Sequence, residues 1–111
     1  MKKSFRVKKV SDFEALFRNK NSFANRAFIV YQRENNLTHF RLGLSVGKKI
    51  GNAVTRNRLK RQIRSLVKSH SSHLQAVDFV VIARKGIEEY NYVSLEKNLI
   101  HLLTKSNIIK K

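Results

Sequence analysis

Apolar and polar positions change their period several times along this chain of 111 residues. Near the start, Phe13, Leu16 and Phe17 share one side of a helix. Ser11-Asp12-Phe13-Glu14 before them has the form of a capping box, in which Ser11 accepts from an early helical N–H and Glu14 reaches back. That predicts a short helix to about Arg18, then a loop at Asn19-Lys20-Asn21-Ser22. From Phe23 to Arg33 the composition is that of a strand, strongest at Ala27-Phe28-Ile29-Val30-Tyr31, with Asn25-Arg26 as the place where it would bend or split. Glu34-Asn35-Asn36 is a turn with little expected function. Thr38 to Val46 is the expected partner strand, with Phe40, Leu42, Leu44 and Val46 on one side.

The second half returns to helical spacing. Gly47 to Val54 is a loop between two glycines, and Thr55 is the expected N-cap, or lies near the N-cap, of a helix running to about Ser69. At 100° per residue, Leu59, Ile63, Leu66 and Val67 form one stripe, with Asn57, Arg58, Lys60, Arg61, Arg64 and Lys68 around the rest. His70-Ser71-Ser72-His73 ends it. Asp78-Phe79-Val80-Val81-Ile82-Ala83 is a continuous apolar run and therefore a buried strand. Asn91 caps a last helix with Leu95, Leu99, Ile100, Leu102 and Leu103 on its apolar face. The order α-β-β-(β)-α-β-α, the bracketed strand being short, is an α+β arrangement: a small mixed sheet packed with helices.

Composition narrows the reading. With no proline, 4 glycines and no repeat or linker, residues 1–111 are expected to form a single domain. Cysteine is absent, which removes disulfides and thiolate chemistry. The basic Met1 to Lys9 segment has no apolar stretch of a secretory signal, and no apolar run approaches a membrane span, so no membrane role and a cytoplasmic location are expected. Formal net charge is +17, from 24 Lys and Arg against 7 Asp and Glu, and no acid lies between Glu34 and Asp78. Within one helix, that charge has no i,i+4 acidic partners to offset its repulsion, so a polyanion is the expected partner.

Arginine offers a planar fork of donors that matches phosphate oxygens, and lysine adds a point charge. Such contacts position a nucleic acid and carry little sequence information, so a structured RNA or DNA recognised by shape is indicated. Phe13, Phe17 and Tyr31 fit either ordinary core or an apolar floor for unpaired bases and riboses, and pattern alone leaves both open. His70 and His73 have the spacing of some metal ligands but no acid or cysteine nearby. Asp12 and Glu14 belong to a helix start and Asp78 to the opening of a strand. The acids therefore form no evident nuclease cluster, and no catalytic residue or metal ligand is predicted.

The run from Lys49 to Arg64, KIGNAVTRNRLKRQIR, closely resembles the signature of the bacterial ribonuclease P protein subunit: Arg-Asn-Arg, then Lys-Arg, then Arg one turn on. Arg41 to Val46, Asp78 to Arg84, Phe13 to Phe17 and Ala24-Asn25-Arg26 are similar to the family as well. The position held by Val67 is often aromatic in that family. The resemblance implies a ribosomal protein S5 domain 2-like fold with a left-handed β-α-β crossover, where general rules favour a right-handed one. It implies a protein that does not itself cleave, bound 1:1 to a catalytic RNA that holds Mg²⁺ and removes the 5′ leader of precursor tRNA. Lys48, Lys49, Asn52, Arg56, Asn57, Arg58, Lys60, Arg61, Arg64 and Lys68 would then contact the RNA, and Phe13, Phe17 and Tyr31 would line a cleft for the leader. A structural RNA-binding protein, a protein-only nuclease and a DNA-architectural protein are the rival classes.

Overall fold

A computed structural model describes residues 3–18 and 21–110. Its elements are α1 (Val10–Arg18), β1 (Ser22–Ala24), β2 (Phe28–Glu34), β3 (Arg41–Ser45), α2 (Ala53–Ser69), β4 (Val77–Ala83) and α3 (Tyr92–Lys105). The predicted α+β order holds, and the strand splits at Asn25, whose side-chain carbonyl accepts from the N–H groups of Ala27 and Phe28. The Asn19-Lys20 part of the predicted loop lies outside the described residues.

The sheet order is β1-β2-β4-β3, with β2 and β4 antiparallel and β3 and β4 parallel. This corrects the expected pairing of the strand after Glu34-Asn35-Asn36 with the one before it. β4 takes the place between them because it is the strand with apolar residues facing both ways: Phe79 and Val81 are buried on one face, Val80 on the other. A strand buried on both faces needs a neighbour on each side, and β2 and β3 supply them. α2 then forms the crossover joining the parallel pair β3 and β4. Beyond β3, Arg6 bridges Leu42 in parallel and the Val7 N–H bonds to the Leu42 carbonyl at 2.9 Å, covering part of that edge.

One sheet face carries the larger core. Leu59, Ile63, Leu66 and Val67 of α2 and Leu95, Leu99, Leu102 and Leu103 of α3 are all buried over Phe28, Val30, Leu42, Phe79 and Val81. Ile100, expected in that face, is half-buried. The caps differ in one place from those predicted. Ser11 lies inside α1, whose first bonds run from the Asp12 and Phe13 N–H groups to the Lys9 carbonyl. The N-cap of α2 is Asn52, so that Thr55 lies near the cap and is not itself the cap: extended backbone after Gly51 lets the Asn52 Oδ1 accept from the Thr55 N–H at 2.9 Å. Asn91 caps α3 as predicted, accepting from the Ser94 N–H at 2.8 Å.

Candidate nucleic-acid interface

Strand register defines the second sheet face. Its rows run Arg33–Asp78–Arg41, then Ser22–Tyr31–Val80–Gly43, then Ala24–Ile29–Ile82–Ser45. α1 lies over the first two. Leu16 is buried with Val7 and Val80, and Phe13, Tyr31 and Ile82 pack around them. Phe17 meets Tyr31 edge to face, with ring centroids 5.4 Å apart, and is 45% exposed. In the third row Ala24 is exposed and Ile29, Ile82 and Ser45 are half-buried. The aromatics of α1 thus stand beside an incompletely covered apolar strip. Pattern left Phe13, Phe17 and Tyr31 between core and open surface; the structure gathers all three and makes them part of each. The strip itself escaped the sequence, because it exists only once β2 and β4 are paired.

On α2 the basic residues concentrate on one flank. Asn57, Arg58, Arg61 and Lys68 are exposed, and Arg56, Lys60 and Arg64 are half-buried beside the apolar stripe. Lys48, Lys49 and Asn52 are exposed at the helix entrance. Among the described residues no carboxylate lies within ion-pair distance of the helix cations. Arg58 donates to the Glu88 carbonyl at 3.3 Å, which ties the helix to the segment after β4. The buried Nε of Arg56 finds no acceptor among the described residues. Arg6, which no periodicity singled out, joins Arg61, Arg64, Ser65 and Lys68 around a basin of about 490 Å³. Burial, and then the charge of Arg6, press the Arg64 pKa below its ordinary value. Arg64 also lines a smaller cavity with Phe13 and Leu44, so the basic flank and the aromatic face adjoin there.

Asp12 and Asp78, assigned from sequence to a helix start and a strand opening, converge under α1. Asp78 is completely buried. Arg41 Nε donates to it at 2.8 Å and Asn35 Nδ2 at 2.9 Å, which gives the short loop after β2 a structural task. Burial alone would raise the Asp78 carboxyl; the donors Arg41 and Asn35, with the charges of Arg41 and Arg33, outweigh it and hold the pKa below the usual carboxylate value. The hydrogen bond to Asp78 is also the main reason the Arg41 pKa is raised. Asp12 takes a hydrogen bond from Arg33 Nη2 at 3.2 Å and lies 3.7 Å from Arg41 Nη1. Among the described residues no three His, Asp or Glu side chains are grouped to hold a metal ion. His70 faces Glu96 at 3.4 Å. No helix among them is long and apolar enough to cross a membrane.

Comparison with known proteins identifies the family and the fold. A family model described as Ribonuclease P matches residues 1–107. The chain is 56% identical over 112 aligned positions to the Ribonuclease P protein component of Streptococcus pneumoniae strain CGSP14, covering all of this chain and 91% of that one. Among solved structures, the Staphylococcus aureus RNase P protein superposes with a TM-score of 0.92 at 42% identity, over 97% of this chain and all of the other. The Thermotoga maritima RNase P protein gives 0.83 at 30% identity, over 90% and 96%.

Proposed function

The chain belongs to the ribonuclease P protein family, and from that premise we propose that it binds the ribonuclease P RNA through α2 while its aromatic face holds the 5′ leader of precursor tRNA. The observation that carries this reading is the adjacency of two unlike surfaces at Arg64 and Phe13, one cationic and one apolar. A folded RNA presents phosphates to the first. An unpaired leader presents bases and riboses to the second, where aromatic stacking contributes roughly 1–3 kcal/mol per base.

In this reading Lys48, Lys49, Asn52, Arg56, Asn57, Arg58, Lys60, Arg61, Arg64 and Lys68 seat the catalytic RNA. Phe13, Phe17 and Tyr31, over the strip of Ile29 and Ile82, favour precursor over product, which has lost its leader. The chemistry belongs to the RNA, which holds the Mg²⁺; the protein's acids are engaged with arginines or dispersed, which fits that division. One protein acts with one RNA, in the cytoplasm. Cations between two RNAs also lower their repulsion, so cleavage should need less Mg²⁺ when the protein is present.

Reconstitution with ribonuclease P RNA at low Mg²⁺ tests this. The parent protein should stimulate leader removal. An Arg58→Ala, Arg61→Ala variant should bind the RNA at least tenfold more weakly, since each charged hydrogen bond contributes about 1.5–3 kcal/mol. Its log–log salt dependence should flatten by roughly 1.5, for two lost phosphate contacts. No stimulation by the parent overturns the reading in favour of a structural RNA-binding protein; cleavage by RNA-free protein overturns it in favour of a protein nuclease.

A further inference from the structure

We propose that Asp12 is a positioning residue for the leader cleft: through Arg33 and Arg41 it latches α1 to the buried Asp78 and so fixes how Phe13 and Phe17 stand over the sheet. The proposal rests on the reading of that face as the leader site.

α1 has only nine residues, too few to be stable alone, so its placement depends on what it touches. Leu16 is its one fully buried side chain, while Val10 is 72% and Phe17 45% exposed. Phe13 packs beside Leu16, half-buried, so apolar contact holds the middle of the helix while the first turn, with Val10 exposed, has little of it. Asp12 lies one turn before Leu16 on the same line, and Phe13 and Phe17 occupy the adjoining line. A polar foot at Asp12 adds the missing hold in the first turn and so fixes the direction in which both rings are presented. That foot stands on firm ground. Arg33 and Arg41 flank Asp78 in a single row across β2, β4 and β3. Arg41 donates through Nε to the buried Asp78 while its Nη1 lies 3.7 Å from Asp12. Arg33 Nη2 is shared, at 3.2 Å from Asp12 and 3.6 Å from Asp78. Two guanidinium groups on one carboxylate leave a surplus positive charge under the helix, and Asp12 is the group that neutralises it. A helix start explains none of these contacts.

The test uses holoenzyme reconstituted with the parent, Asp12→Asn, Asp12→Glu, Arg33→Gln and Phe17→Ala. It reads the ratio of affinities for precursor and mature tRNA, the affinity for ribonuclease P RNA, and amide exchange across residues 13–17. Asp12→Asn should lower the ratio roughly three- to tenfold, the size of a coupling between contacting groups. Exchange in α1 should rise and RNA affinity stay within about twofold, because the RNA-facing helix is untouched. Asp12→Glu should restore part of the ratio. Arg33→Gln cuts the same latch from the sheet side, and combined with Asp12→Asn it should cost little more than either alone. Loss of stability and RNA affinity with an unchanged ratio overturns the latch. So does a ratio that falls in Phe17→Ala but in neither latch variant. A ratio unmoved by Phe17→Ala as well shows instead that the leader reading itself is wrong, and the latch falls with it.

Discussion

At Gly43 the sheet passes directly beneath an aromatic ring. A Cβ at this position would stand 2.6 Å from Cε1 and 2.9 Å from Cζ of Phe13, closer than such contacts are found. The backbone needs no special dihedral there; glycine is required by the approach of the ring. Gly43→Ala should tip Phe13 outward, which the ring can do without unfolding the protein, at a cost of about 1–3 kcal/mol. Discrimination between precursor and mature tRNA should fall while RNA binding persists, measured by titrating the reconstituted holoenzyme with each tRNA. Sequence supplied the ring and not its seat. Phe13, Phe17 and Tyr31 were visible as residue types at suitable spacing, whereas the need for glycine, and the half-covered Ile29 and Ile82, depend on pairings far apart in the chain. Asp12 and Asp78 misled for a similar reason: each has a sufficient local explanation, and their shared arginines come from two other strands.

Among elements, those with strong periods were legible. The existence of α2 and α3 and most of their buried stripes follow from 3.6-residue spacing, while Asn52 sets the start of α2 and Ile100 is only half-buried. Pairing order was not, because a turn followed by an apolar strand predicts a hairpin, and only the demand of β4 for two neighbours overrides it. The row Arg33–Asp78–Arg41 pins those three strands together, and its stability is tied to pH. Because the folded-state pKa of Asp78 is depressed, its contribution is fully present above the unfolded value near 3.9 and is lost as pH falls through the lower folded value. Urea unfolding from pH 7 downward should show this loss starting below about pH 4–5. Asp78→Asn should be destabilised at neutral pH by about 3–5 kcal/mol, as expected when one partner of a buried charge set is removed, and should lose part of the acid slope.

For the molecule as a whole, +17 on 111 residues was the plainest sequence feature, and the structure shows that it is not evenly spread. Arg6, Arg61, Arg64 and Lys68 surround one basin with no carboxylate among its lining residues. Anions that bind only the folded state stabilise it by mass action, about 2.7 kcal/mol at a hundredfold excess over the dissociation constant. Melting should therefore occur at a higher temperature in sulfate than in chloride at equal ionic strength. An Arg61→Ala, Arg64→Gln variant should lose most of that difference, which separates a seated anion from general salting effects. Equal midpoints for the parent would count against a preformed seat.

The central place of β4 has a consequence for synthesis. In the register of the sheet Phe28 pairs with Ala83, and Arg41 with Asp78. On a translating ribosome, β2 and β3 emerge each with one edge open and wait several seconds for their shared neighbour, at roughly 5–20 residues added per second. α2 leaves the exit tunnel during that interval, so the nascent chain exposes its cationic helix before the scaffold behind it has closed.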